Sequence, residues 1–411
     1  MKVLFLNSTD CRGGAAKAAV RLLKAMRDIG VDADLLAQEY GDQIAQYGIW
    51  DRCRLWLKPR LDALPVLRYP DRTGMIFSPS RLPDGISQEV RRIQPDLIHL
   101  HWIQEGFVRI ETLAALKAPI IWTLHDSWPF TGGCHLPYEC PRFADRCGAC
   151  PVLGSDDEND FSRKIWTRKK KAWNNVPITL VAPSRWLAEK ARASSLFRDQ
   201  RVEVIPNCFD SSVFHSGNRE TVREKLGIAP DKRVIIINAS QMSDDRNKGG
   251  DLLGAVLKKL AMHIDSSSIH LLLTGDNFPT SMVPDTMSVS YTGQIRNEHL
   301  MADLYAASDL LVLVSRLENL SNTVMEAMAC AVPAVAFNVG GMPDLIDDGV
   351  NGRLVESFDT NGFADSVWWC LDPDRLPELA CRAVQLTADR YAAPVVAAKY
   401  YELYRELLKN V

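Results

Sequence analysis

The chain has 411 residues, is 46% apolar and 24% charged, and carries a formal net charge of −3. That length suits two domains with sizeable cores. The near-balanced charge excludes a general attraction to nucleic acid or to an anionic membrane. No stretch of eighteen apolar residues occurs, so no membrane-spanning helix is expected, and a cytoplasmic protein with reduced cysteines follows as the expectation.

In chain order, Met1 to Asn7 reads as a buried strand rather than a signal peptide. Cys11-Arg12-Gly13-Gly14-Ala15 is a glycine turn, and Ala16 to Met26 has apolar residues at helical spacing. A glycine turn between a first strand and helix lets backbone approach a ligand closely, although this one is not a G-x-G-x-x-G fingerprint and a ligand-free tight turn reads equally well. Asp51 to Arg72 interleaves Arg52, Arg54, Lys58, Arg60, Arg68 and Arg72 with Trp56, Leu57, Leu61, Leu64, Leu67 and Tyr69; Arg163 to Trp173 repeats the style. Such surfaces suit anionic lipid headgroups, or else are solvated helices whose basic stems cover apolar neighbours. Pro95 to His101 and Ile120 to Leu124 are further buried strands, each ending in histidine. A histidine there sits on the ligand side of an open sheet, or serves as a core residue or cap. Asp126 follows His125 and is placed to orient its ring.

Cys134, Cys140, Cys147 and Cys150 give C-x5-C-x6-C-x2-C, with His135 close by. Four thiols so spaced suit tetrahedral Zn²⁺ in a structural role, free thiols, or disulfides. Ile178 to Ala182, a helix from Arg185, and a strand from Arg201 to Ile205 close the first half. Pro206 to Asp210 is a turn-rich link. Arg233 to Ala239 opens a second sheet, and Ser240 to Gly250 is a polar loop with Arg246 and Lys248 near the next helix start. His270 to Thr274 and Val289 to Thr292 are strands, the second running into Gly293-Gln294-Ile295. Leu310 to Val314 is a strand; Val324 to Ala331 is a helix with Asn322 and Thr323 at its start; Pro333 to Phe337 is the next strand. Amides from Leu320 through Ser321 to Asn322 would favour an anion at that helix end. Glu318 lies before the helix and Glu326 one turn inside it, too deep to cap it. Helices follow at Asp359 to Trp369, Arg375 to Leu386 and Ala393 to Leu408.

The run from Glu318 through E-A-M-A-C-A-V-P-A-V-A-F-N-V-G-G-M-P-D-L-I-D-D-G-V-N-G resembles the donor-site signature of the family-4 retaining glycosyltransferases. It departs only at Ala331, where glycine is usual, a change expected to matter little. The phrase H-D-x-W-x-F-T-G-G-C-H with its later cysteines resembles that family's colanic-acid and exopolysaccharide branch. The resemblance implies an α/β GT-B fold: two doubly wound, Rossmann-like domains facing a central cleft, an acceptor-side domain over 1–205 and a nucleotide-sugar domain over 206–385, with a terminal helix over 386–411 packing back on the first. It implies that Arg246 and Lys248 hold the donor diphosphate, Glu326 the ribose, and Glu318 and His125 the sugar. Gly13 and Gly14 would contact phosphates or acceptor, and Gln294 and Ile295 would border the base. The expected activity is retaining transfer from a UDP- or GDP-sugar to a saccharide acceptor, lipid-linked and at the inner membrane face. The leaving charge is met by cations and peptide dipoles instead of a metal ion. The alternatives are a sugar-nucleotide epimerase and a non-catalytic binding component of a polysaccharide assembly.

Overall fold

The computed structural model describes residues 1–10, 13–40, 49–238, 242, 245–263, 265–276 and 278–409, with backbone alone at 49–52 and 54. Cys11, Arg12, Ala239 to Gln241, Ser243, Asp244 and the side chains of Asp51, Arg52 and Arg54 therefore lie outside the described residues. The chain divides into two compact units, Met1–Asn207 with Val396–Val411, and Cys208–Val395.

The first unit carries β1 (Lys2–Thr9), α1 (Gly13–Asp28), β2 (Asp32–Glu39), α2 (Ile49–Ala63), α3 (Ile86–Ile93), β3 (Leu97–Leu100), β4 (Ile120–Thr123), α4 (Phe161–Trp173), β5 (Ile178–Ala182), α5 (Arg185–Ala193) and β6 (Val202–Val204). The second carries α6 (Arg219–Lys225), β7 (Arg233–Asn238), α7 (Gly250–Leu260), β8 (Ile269–Thr274), β9 (Ser288–Gly293), α8 (Glu298–Ala306), β10 (Leu310–Leu313), α9 (Asn322–Ala329), β11 (Ala334–Phe337), α10 (Met342–Leu345), β12 (Gly352–Val355), α11 (Thr360–Cys370) and α12 (Leu376–Tyr391), and α13 spans Ala393–Lys409.

Among the described residues the strands form two six-stranded sheets, ordered β2-β1-β3-β4-β5-β6 and β12-β11-β10-β7-β8-β9. The pairings within both are parallel. Short apolar runs form these strands because both faces of a parallel sheet are covered. Alternation along β7 shows it directly: Val234 and Ile236 join one apolar cluster, while Ile235 and Ile237 join another on the opposite face. In the first unit the core centres on Trp122, Trp128 and Trp173, whose rings meet edge-on or tilted at 5.5–6.1 Å.

Each sheet reverses its strand order once, between β1 and β3 in the first and between β7 and β10 in the second. Loops leaving the C-terminal ends of such neighbours open a crevice where doubly wound folds bind ligands. In the first unit, α13 contributes two buried tyrosines: Tyr404 Oη lies 2.6 Å from His99 Nδ1, and Tyr400 Oη lies 2.8 Å from Thr123 Oγ1. Arg201 forms a two-pronged ion pair with Glu406 at 2.6 and 2.9 Å.

Candidate active site

The second unit's switch point is built by two loops. One leaves β7 and carries Arg246, Asn247 and Lys248 on a short 3₁₀ turn, with Asp245 accepting from Asn247 N at 2.8 Å. The other leaves β10 and carries Arg316 to Ser321. Asn247 stitches them together: its Nδ2 donates to Leu317 O at 2.9 Å, and its carbonyl accepts from Arg316 N at 2.8 Å. Gly249 adopts φ +69°, and a Cβ there would lie 2.2 Å from Val314 O, so only glycine lets the loops pass this close. The outcome is that Lys248 Nζ lies 3.7 Å from Glu318 Oε1 with both side chains partly exposed. Sequence reasoning missed Asn247 as the link between the two loops, because a contact between separate loops leaves no local pattern.

Glu318 is also held from behind. Its carbonyl accepts from Gly341 N at 2.9 Å, and a Cβ on Gly340, at φ +56°, would lie 1.9 Å from that same oxygen. Ser321 caps α9, its Oγ accepting from Val324 N at 3.4 Å. The helix begins at Asn322, so the first-turn amides start at Ser321 and Leu320 stands outside them, a shift of one residue from the expected set. Glu326 sits one turn inside α9 and is 4% exposed, with Tyr305 Oη donating to its Oε2 at 3.3 Å. Arg246 is exposed. Gln294 is exposed, its Oε1 accepting from Arg296 at 3.3 Å, and Ile295 packs against the core of this unit.

In the first unit, Gly13 opens α1 at φ +82° with no atom within 4 Å of where a Cβ would stand, and Gly14 beside it is likewise exposed. His125 follows β4, and its Nε2 lies 2.9 Å from His101 Nδ1. Burial pushes the His125 imidazole down to about 4, and pushes His99 and His101 well below their ordinary value. Asp126 acts on the neighbouring His125 ring electrostatically and also serves three other donors. Asp126 Oδ2 takes Trp102 Nε1 at 2.7 Å and His135 Nδ1 at 2.6 Å, and its Oδ1 takes Trp128 N at 2.8 Å. Burial opposes the Asp126 charge, but the His135 ring and these donors outweigh it and hold the carboxyl below its usual range.

Two surface readings separate. On α4, Arg168 pairs with Glu111 at 3.0 Å, Arg163 with Glu158 at 3.1 Å, and Lys169 and Trp173 are buried, which favours the solvated-helix reading of this segment. Along α2 and the turn after it, Trp56, Leu57, Leu61, Leu64 and Leu67 are exposed, with the Arg60 guanidinium 4.0 Å over the Trp56 ring. Asp62 anchors this segment, accepting from Ser80 N at 2.9 Å and Arg81 N at 2.8 Å. Among the described residues, no helix is long and apolar enough to cross a membrane.

Cys134, Cys140, Cys147 and Cys150 are all free thiols, and together they line one small cavity with Thr131, Gly132 and Ser162. Burial raises Cys134 well above its ordinary value and Cys147 to about 12. Among the described residues, no three His, Cys, Asp or Glu side chains stand ready at metal-ligand geometry.

Comparison with known proteins gives the family. Residues 12–213 match the family described as Glycosyltransferase Family 4, and residues 233–372 match Glycosyl transferases group 1. A D-inositol 3-phosphate glycosyltransferase from Thermobispora bispora is 38% identical over 77% of this chain and 72% of its own length. A GDP-mannose-dependent alpha-mannosyltransferase from Corynebacterium glutamicum is 28% identical over 92% of this chain and 82% of its own. In other curated relatives the aligned stretch falls to 66% and 53% of their lengths. The Anabaena protein HepE, solved in complex with UDP-glucose, superposes with a TM-score of 0.64 at 18% identity, over 99% of this chain and all of that one.

Proposed function

Since the chain belongs to the family-4 glycosyltransferases and has the GT-B fold, we propose that it moves a sugar, with retention at the anomeric carbon, from a UDP- or GDP-sugar to a saccharide acceptor carried on a lipid. The observation that carries this reading is the Lys248–Glu318 pair at the second unit's switch point, beside the start of α9. A cation and a helix N-terminus together favour a diphosphate, and an adjacent carboxylate favours sugar hydroxyls.

In this mechanism Lys248 and Arg246 hold the diphosphate, with the amides of Ser321 and Asn322. As the sugar–phosphate bond breaks, negative charge grows on the leaving phosphate, and fixed positive groups stabilise that charge more than the ground state. They do so without a divalent ion. The sugar gains oxocarbenium character, with Glu318 accepting from its hydroxyls. Glu326, oriented by Tyr305, takes the ribose. Gln294 and Ile295 border the base. Within the first unit we assign phosphate or acceptor contacts to Gly13 and Gly14 and a sugar contact to His125, whose imidazole burial keeps neutral. The acceptor hydroxyl loses its proton to the departing phosphate. The relatives support a nucleotide-sugar donor: one is named for GDP-mannose, and HepE was solved with UDP-glucose. The exposed Trp56–Leu67 face with its arginines supports work at an anionic lipid surface, where polysaccharide assembly on lipid carriers takes place.

A panel of UDP- and GDP-sugars tested by thermal shift identifies the donor, because a ligand that binds the folded state raises the melting temperature. Transfer is then followed by NMR of the anomeric proton. Expected are one preferred donor and an axial-to-axial or equatorial-to-equatorial outcome. Inversion would overturn the retaining assignment. Product formed without acceptor would favour an epimerase, and donor binding with no turnover on any acceptor a silent assembly partner.

A further inference from the structure

We propose that Cys134, Cys140, Cys147 and Cys150 are the four ligands of a closed, structural Zn²⁺ site. The four sulfurs share one cavity although they come from separate turns of a loop with little regular structure. The C-x2-C end is shaped for this. Cys147, Gly148 and Ala149 take φ of +52°, +105° and +40°, three consecutive left-handed residues of which two carry a Cβ. Such a backbone is costly unless something holds it. It turns the cysteine pair inward and lets a peptide N–H reach a sulfur: Gly132 N donates to Cys147 Sγ at 3.1 Å. Hydrogen bonds of this kind tune a metal-bound thiolate.

Lys169 is a second, independent observation. Its side chain is fully buried, its ammonium lies 3.5 Å over the Trp128 ring, and it donates to Trp128 O and to Thr131 O at 3.0 Å. Thr131, whose carbonyl it meets, lines the same cavity as the four cysteines, and the Asp126 carboxylate acts on Lys169 from outside that cavity. A buried ammonium needs a compensating negative charge. A Zn²⁺ with four thiolates carries two net negative charges and would add to the charge of Asp126. Binding releases the four thiol protons to solvent and breaks no covalent bond other than S–H. Because the thiols surround the cavity without standing at ligand geometry, the loop must contract on the ion. With all four positions filled by protein, the ion has no open coordination site and takes no part in transfer.

The test uses the full chain, purified without a metal-affinity tag, reduced, given Zn²⁺ and dialysed. Mass-spectrometric metal analysis is expected to find about one zinc per chain, several-fold less in Cys147→Ser, and no change in Cys53→Ser, an exposed cysteine far from the loop in sequence. Replacement by Co²⁺ in the wild-type chain is expected to give an intense thiolate-to-cobalt charge-transfer band, which keeps the test decisive should Cys147→Ser fail to fold. The proposal is overturned by a zinc content well below one equivalent together with no such band, by equal zinc in wild type and Cys147→Ser, or by iron in zinc's place.

Discussion

Lys248 Nζ stands 3.7 Å from Glu318 Oε1, and the residue between the two loops that fixes this distance is Asn247, bonded on both sides to the β10 loop. The pair is loose enough for a diphosphate to take the ammonium from the carboxylate, freeing Glu318 for the sugar. Lys248→Ala is therefore expected to lower kcat by about 100-fold or more, the usual cost of removing a fixed charge from the developing anion, with a smaller change in donor affinity. Lys248→Arg is expected to recover part of the loss. Steady-state kinetics with the preferred donor check this, and an unchanged kcat in the alanine variant would remove Lys248 from the mechanism.

Gly340 makes the opposite face of that site. Its φ of +56° and the near contact a Cβ would make with Glu318 O leave no room for a side chain. Gly340→Ala is expected to push the Glu318 backbone away from Lys248, reducing activity about as much as Glu318→Ala does while the chain still folds. Circular dichroism and turnover measured together distinguish this from simple unfolding.

The cluster of His99, His101 and His125 gives a pH dependence of stability. Burial holds all three below their ordinary value of 6.5, with His125 near 4. As pH falls below 6.5 the unfolded chain takes up protons that the folded chain refuses, so stability falls with pH through the window from 6.5 toward 4. Above 6.5 these groups contribute no slope. Urea midpoints measured at several pH values would show this. A flat profile between 6.5 and 4.5 would mean the histidines are not held neutral.

Much of this was readable from the chain because burial on both faces leaves an unmistakable mark. β10 and β11 are unbroken apolar runs, and the Glu318–Glu326 stretch stands between them. β2, with its polar Asp32, Asp34, Gln38 and Glu39, lies at a sheet edge and lacks that mark. Contacts across a loop were not readable either. Asp126 meets His135 nine residues on, within irregular backbone where no period links them. On α4 the pairing of Arg168 with Glu111 and of Arg163 with Glu158 was hidden too, since charge in a sequence does not show its partner.

The α2 face makes a membrane prediction. Trp56 and Leu67 are 57% and 59% exposed, an arrangement that leaves apolar surface in water unless a lipid interface covers it. The chain is expected to sediment with vesicles containing anionic phosphatidylglycerol, less so at high salt, and only weakly with neutral phosphatidylcholine. The double variant Trp56→Ser, Leu67→Ser is expected to lose most of the binding while retaining its melting temperature. Equal binding by the variant would assign the interaction elsewhere.

Ala331 is the last position where sequence and structure diverge. Its replacement of the usual glycine looked harmless on size alone, yet it ends α9 at φ +66°, in the left-handed region. A methyl group there costs about 1 kcal/mol relative to glycine at a helix terminus. The greater freedom of glycine in the unfolded chain offsets part of that gain. Ala331→Gly is thus expected to stabilise the second unit by up to about 1 kcal/mol, seen as a higher urea midpoint with an unchanged m-value. Because Ala331 follows the same helix whose first turn lies beside Glu318, turnover should stay as it is. A lower midpoint would show that the left-handed turn is held by its neighbours at no cost to alanine.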